Sequence, residues 1–220
     1  MSAPSPAAMA LNRSFAKVPV WAVYLAGLLP LAVLVWQMVL GDPGADPVKT
    51  VEHRLGKVAL WFLLGGLAIT PLRRFAGVNL LRFRRAVGLI AAGYVTLHVA
   101  VWFSLDMGFL WDQALSDLWR RRYLLLGVGA VIALIPLVAT SNNRAIRRLG
   151  ANWRRLHRLV YVAASLGVVH YLWQMKVISQ EGWLWLGALM LLLAVRIGPG
   201  FGGFSGPRGG VRKTSRPEAQ

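Results

Sequence analysis

No cysteine occurs in the 220 residues. That excludes a disulfide framework, a thiolate zinc site, a Cys-ligated iron–sulfur cluster and a haem attached through a CxxCH motif. Metal chemistry falls to histidine, carboxylates or the nitrogens of a cofactor. Acidic residues are scarce: eight, against 25 lysines and arginines, for a formal net charge of +17. A strand–GxGxxG–helix unit is also lacking. The Gly/Pro-rich run from Gly198, GPGFGGFSGPRGG, follows no strand and reads as low-complexity tail rather than as a nucleotide loop.

What is abundant is apolar sequence. Hydrophobic residues make up 56% of the chain, and the mean hydropathy is +0.53. Soluble domains sit nearer about 45–50% apolar, so the excess points to a membrane. A charge of +17 on a soluble fold would suggest nucleic acid, but here the charges fall between apolar runs. A helix needs about 20 mostly apolar residues to cross the hydrocarbon core. Six stretches are expected to do so: Val20–Leu40, Leu55–Thr70, Ala86–Leu105, Tyr123–Ala139, Leu159–Met175 and Trp183–Ile197. Pro30 and Pro136 fall inside spans, where membrane helices tolerate proline, and Pro71 is expected to stop the second. The first span is too long for a signal-peptide h-region and is read as retained. The expected fold is an all-α membrane protein, a six-transmembrane-helix bundle. Its parts are an N-terminal segment (1–19), the helical domain (20–197) and a flexible basic tail (198–220).

Charge sets the orientation. With both termini on one side, that side holds Arg13, Lys17, Arg73, Arg74, Arg82, Arg84, Arg85, Arg144, Arg147, Arg148, Arg154, Arg155, Arg158, Arg196, Arg208, Arg212, Lys213 and Arg216. These are eighteen of the 25 bases, opposed by Glu218 alone. The other side carries the remaining seven bases and Asp42, Asp46, Glu52, Asp106, Asp112, Asp117 and Glu181. Lysine and arginine mark cytoplasmic loops, so both termini are expected in the cytoplasm, and the basic face suits anionic headgroups. Tryptophans near span ends (Trp21, Trp36, Trp102, Trp153, Trp173, Trp183) suit interfacial belts.

Two histidines lie deep. His98 follows Arg85 by thirteen residues and His170 follows Arg158 by twelve, or roughly 20 Å and 18 Å along two helices running the same way. The imidazoles therefore share a depth in the outer half of the membrane. Ionisable groups there mark function, and neutral imidazole is a common metal ligand. Two at one height on two helices can clamp a haem iron from both faces, and the small residues nearby (Ala91, Ala92, Gly93, Ala163, Ala164, Gly167) would admit a flat macrocycle. Close helix packing and proton or ion transport are the other readings of the same pattern. Transport would call for acidic partners within spans, and none is apparent. His157 lies among Arg154, Arg155 and Arg158 at the cytoplasmic boundary, where it could serve a second haem, a flavin or lipid headgroups. Its counterpart position on the third span holds Arg84 and Arg85, so a second pair of imidazoles is not visible. His53, beside Glu52, is expected in an outer loop.

Three segments carry a family resemblance: GADPVKTVEHRLGKVALWFLLGGLAITPLRR, RFRRAVGLIAAGYVTLHVAVW and TSNNRAIRRLGANWRRLHRLVYVAASLGVVHYLWQMK. Together they resemble the MsrQ family, the haem-binding membrane subunits of bacterial methionine sulfoxide reductase systems. That family belongs to the ferric-reductase-like transmembrane group, with NADPH oxidases as distant kin. The resemblance covers roughly Gly41 to Lys176. It implies a multi-pass protein of the bacterial inner membrane binding haem b and FMN. Such a protein takes electrons from a cytoplasmic flavin reductase or the quinone pool and passes them to a periplasmic molybdopterin-containing catalytic subunit. That partner repairs oxidised periplasmic proteins.

By the same resemblance His98, His170 and His157 are cofactor-binding, with His98 and His170 the metal ligands between the third and fifth spans. Relatives with two haems have four histidines on two helices, and here arginine stands at the fourth place. Relatives also tend to have Arg-Pro-Tyr before the fourth span, where this chain has Arg122. Arg73, Arg74, Arg147 and Arg148 are open candidates for a flavin phosphate. The implied role is that of an electron conduit, with no catalytic residue of its own. A ferric reductase or quinol-linked cytochrome b with another acceptor is the competing reading, and a proton or ion transporter a more distant one.

Overall fold

A computed structural model describes residues 5–42 and 44–197; the tail expected from Gly198 lies outside the described residues. Helices form at each of the six expected places: α2 (Val20–Leu40), α3 (Pro47–Phe75), α4 (Arg84–Val101), α6 (Tyr123–Ala139), α9 (Leu159–Trp173) and α10 (Gln180–Ile197). A further helix, α1 (Pro6–Lys17), precedes them, and three lie between them: α5 (Trp111–Arg120), α7 (Asn143–Leu149) and α8 (Ala151–Leu156). No strand occurs among the described residues. By length and apolar composition α2, α3 and Leu81–Asp106 each suffice to cross a membrane, and the bent pair α5–α6 makes a fourth candidate. At 15 and 18 residues, α9 and α10 are shorter than the roughly 20 a perpendicular span requires.

Side-chain bonds tie the helices into an alternating bundle with two chemically distinct ends. At one end Lys57 on α3 pairs with Glu181 on α10 at 2.6 Å. Lys49 on α3 pairs there with Asp106, just past α4, at 2.8 Å. At the other end Arg85 on α4 donates to Asn143 at 2.6 Å, and Arg82 donates to the Ala16 carbonyl in α1 at 2.7 Å. The first end carries the acids and the second the arginines, as the charge partition anticipates. Between them Leu60, Leu63, Leu64 and Leu67 of α3 meet Leu134 and Leu137 of α6, Val168 of α9 and Leu189 of α10. Ala91, Ala163 and Ala164 are fully buried, and such small residues let α4 and α9 approach neighbours closely.

Two prolines show how freed backbone groups are satisfied where no water reaches. Near Pro30 in α2, the Tyr94 hydroxyl donates to the Gly27 carbonyl at 2.7 Å and accepts from the Leu31 N–H at 3.1 Å. The phenol is thus inserted into the helical ladder beside the proline. Pro71 differs from its expected role. It does not stop the helix, because α3 continues to Phe75. Lacking an N–H, Pro71 leaves the Leu67 carbonyl without its i+4 donor, and the Arg196 guanidinium donates there instead at 2.7 Å. His53 is likewise not in a loop: the N-cap at Asp46 accepts from the Lys49 N–H at 3.0 Å and starts α3 early enough to include it.

Replacing Tyr94 with phenylalanine removes both bonds beside Pro30. The expected cost is about 1–2 kcal/mol, seen as a lowered thermal unfolding midpoint in detergent with the helical signal retained.

Candidate functional site

The bundle brings His98 of α4 and His170 of α9 together, with ring centres 6.3 Å apart and ring planes nearly perpendicular at 77°. Each Nδ1 lies 2.8 Å from a backbone carbonyl on a different helix: Glu52 in α3 for His98, Tyr123 in α6 for His170. A carbonyl only accepts, so each Nδ1 carries the proton and each Nε2 keeps its lone pair. This second-sphere carbonyl bond is what fixes tautomer and ring plane in metal-ligating histidines. With each Nδ1 so engaged, the two Nε2 atoms are the groups that would hold a metal-bearing cofactor between these helices.

Glycines make the room. A Cβ on Gly127 of α6 would lie 3.1 Å from the His170 ring, and one on Gly56 of α3 would lie 3.3 Å from the His98 ring. Each imidazole therefore rests against a helix face that only glycine leaves open. Isolated glycines inside apolar helices are the sequence signal for such an approach, and Gly56 and Gly127 could have been found by it. The pair faces a cavity of about 200 Å³ walled mainly by Leu60, Leu63, Val95, Leu124 and Leu134. Among the described residues no three His, Cys, Asp or Glu side chains gather around a common point. A bare ion would find two protein ligands, whereas a porphyrin brings its own four nitrogens.

The cavity reaches the acidic end, where Glu52 and Lys57 line it. Glu52 is buried, and its side chain is 3.8 Å from Lys49, which also pairs with Asp106. These charges latch the start of α3 to the end of α4, beside the carbonyl that holds His98. His53 also lines the cavity.

His157 is elsewhere. It sits between α8 and α9 and stacks on Trp153 with ring centres 3.8 Å apart. Its Nδ1 is 3.1 Å from the Trp153 carbonyl, and its Nε2 is buried without a partner among the described residues. It lines a second cavity of about 550 Å³ at the arginine-rich end, together with Arg84, Arg85, Arg154, Arg158 and Arg196. Leu63 and Leu134 wall both cavities, so the two lie in succession along the bundle. Arg73, Arg74, Arg147 and Arg148 do not line this cavity. Arg122, in the place of the relatives' proline, has φ −53°, within the range proline itself would adopt.

A helical bundle with two cavities in succession, one of them lined by paired imidazoles, is what the ferric-reductase-like resemblance leads one to expect. The sequence profile described as "Ferric reductase like transmembrane component" matches residues 54–168. Relatives sharpen this. The chain is 45% identical over 180 residues to the "Protein-methionine-sulfoxide reductase heme-binding subunit MsrQ" of Rhizobium meliloti (strain 1021), covering 80% of this chain and 82% of that protein. It is 40% identical over 187 residues to the protein so described from Agrobacterium fabrum, covering 85% and 87%. For Brucella anthropi the identity is 39% over 178 residues, covering 81% of each. The chain belongs to the MsrQ family and is a multi-pass membrane protein.

Burial above all, with the Arg84 charge adding to it, holds the His157 imidazole below its ordinary value of 6.5. A depressed imidazole pKa means that the unfolded chain binds the proton more readily. Stability is therefore expected to fall as pH drops below about 6.5. Thermal melting across pH 5–8 checks this, and His157→Gln is expected to flatten that acid-side slope.

Proposed function

We propose that this chain is the membrane electron-transfer subunit of a methionine sulfoxide reductase system, with haem b held between His98 and His170. The observation that carries the reading is the paired imidazoles, 6.3 Å apart, each with Nδ1 bonded to a carbonyl. The relatives' names, heme-binding subunits of protein-methionine-sulfoxide reductases, support it. When bound, the haem iron supplies a one-electron relay. His98 and His170 would hold it through their Nε2 atoms, and two protein ligands on one haem would favour electron transfer over oxygen chemistry. The leucine walls keep water from the relay, and the carbonyl bonds keep both imidazoles in the ligating tautomer.

In this reading the six long helices all span the bacterial inner membrane, with the arginine-rich end and both termini cytoplasmic. Electrons enter there from the quinone pool or a cytoplasmic flavin reductase. The cavity at His157 is the station on that path for a second redox group. FMN is what the family resemblance implies, and the Arg84, Arg154 and Arg158 guanidinium groups suit an anionic phosphate. Electrons leave at the acidic end to a periplasmic molybdopterin-containing catalytic subunit. Reduction of a methionine sulfoxide there takes two electrons and two protons and releases water, restoring the thioether. The competing acceptor is ferric iron, which the name of the matched family favours.

Two measurements follow. Protein reconstituted in liposomes with a reduced donor inside and the catalytic subunit outside is expected to drive methionine sulfoxide loss; turnover of an iron chelate alone would favour the ferric reductase. Separately, Gly127→Val places atoms where the His170 ring lies, and haem per protein is expected to fall severalfold. Gly187→Ala on α10, where a Cβ meets nothing within 4 Å, is expected to keep full occupancy.

A further inference from the structure

The stretch between α4 and α6 holds a surface that neither the haem site nor the electron path uses. A π turn at Trp102–Asp106 ends α4. Gly108 and Phe109 then both take positive φ, 57° and 62°, a conformation rare for phenylalanine. The Phe109 N–H bonds the Phe103 carbonyl at 3.0 Å, and its ring packs edge-on to Phe103. This turn launches α5, which the sequence does not announce because its apolar residues are too few for a span.

Three flanks divide α5. Ala114 and Asp117 are buried against the bundle, and Leu118 lines the haem-site cavity. Asp112, Gln113, Ser116 and Arg120 form an exposed polar flank. Trp111, Leu115 and Trp119 are 70%, 54% and 76% exposed. Spaced four apart at about 100° per residue, these three share one stripe about 80° wide. Phe109 and Leu110, 65% and 59% exposed, extend it.

We infer that α5 is an interfacial anchor whose Trp111–Leu115–Trp119 stripe docks onto the phospholipid surface at the acidic end of the bundle. Three observations select lipid over a protein partner. The chain bends by 111° between α5 and α6, so α5 lies nearly along the plane that α6 crosses. Its stripe is flanked by a polar face for water, the arrangement of helices that lie in a membrane interface. Two tryptophans on that stripe match the aromatic belt at headgroup level. Held there, α5 keeps Leu118 on the cavity wall and Arg121 at 2.9 Å from Asp117, just before the Tyr123 carbonyl that orients His170.

The absence of cysteine permits a direct test. Leu115→Cys and Ser116→Cys, each nitroxide-labelled, are placed in lipid nanodiscs and relaxed with oxygen or a water-soluble nickel complex. The label at 115 is expected to favour oxygen severalfold over the label at 116. Equal nickel access at both positions would overturn the inference. So would a label at 115 that nickel reaches in lipid and that becomes shielded only when the catalytic subunit is added. Should labelled protein fail to purify, tryptophan quenching by brominated phospholipid is measured on wild type and on Trp111→Phe/Trp119→Phe. The variant is expected to lose the share of the quenching that these two tryptophans carry, and unchanged quenching would also overturn the inference. The readings in lipid alone depend neither on haem nor on the acceptor, so their failure leaves the proposed function standing.

Discussion

The bond between an imidazole Nδ1–H and a backbone carbonyl of another helix, made twice, is the constraint around which this bundle is arranged. One joins α4 to α3 through His98 and Glu52; the other joins α9 to α6 through His170 and Tyr123. Each removes a donor from a region where an unpaired polar group is costly. Each also leaves one nitrogen with a lone pair turned to chemistry. Each carbonyl has two lone pairs, so it can take the imidazole N–H beside the donor of its own helical turn. Gly56 and Gly127 then bring the rings against those helices.

Charge is distributed to serve the same geometry. Two ion pairs at the acidic end cross between helices: Lys49 to Asp106 and Lys57 to Glu181. They fix the end at which the two histidines lie. At the opposite end arginines surround a larger cavity, and one of them also repairs the backbone, since Arg196 supplies the donor that Pro71 lacks. Arg196 also donates to the Tyr161 hydroxyl, so the start of α9, the end of α10 and the middle of α3 are held by one side chain.

Much of this was legible in the sequence. The places of the six long helices follow from apolar runs, and the equal depth of His98 and His170 follows from counting residues after Arg85 and Arg158. Counting works because a helix in lipid has a fixed rise and few alternatives. The partners of Nδ1 were not legible: they are backbone carbonyls 46 and 47 residues distant, and every residue has a carbonyl. The continuation of α3 past Pro71 is hidden for a similar reason, because the donor comes from Arg196, 125 positions on. The helical place of His53 follows from the Asp46 cap, which starts α3 ahead of the apolar run at Leu55. The helix α5 was missed because an amphipathic stripe of ten residues is too short to stand out beside spans. That His157 faces a basic cavity without a partnering imidazole was visible, since the opposing positions read Arg84 and Arg85.

The central claim is that His98 and His170 grip one haem between them. The dithionite-reduced minus oxidised visible spectrum of the purified protein tests it most directly, compared among wild type, His98→Ala and His170→Ala. A six-coordinate b-type spectrum in the wild type, with the same signal lost in each variant, is the predicted result. A colourless wild type from haem-replete cells, or a spectrum unchanged by either substitution, would contradict it.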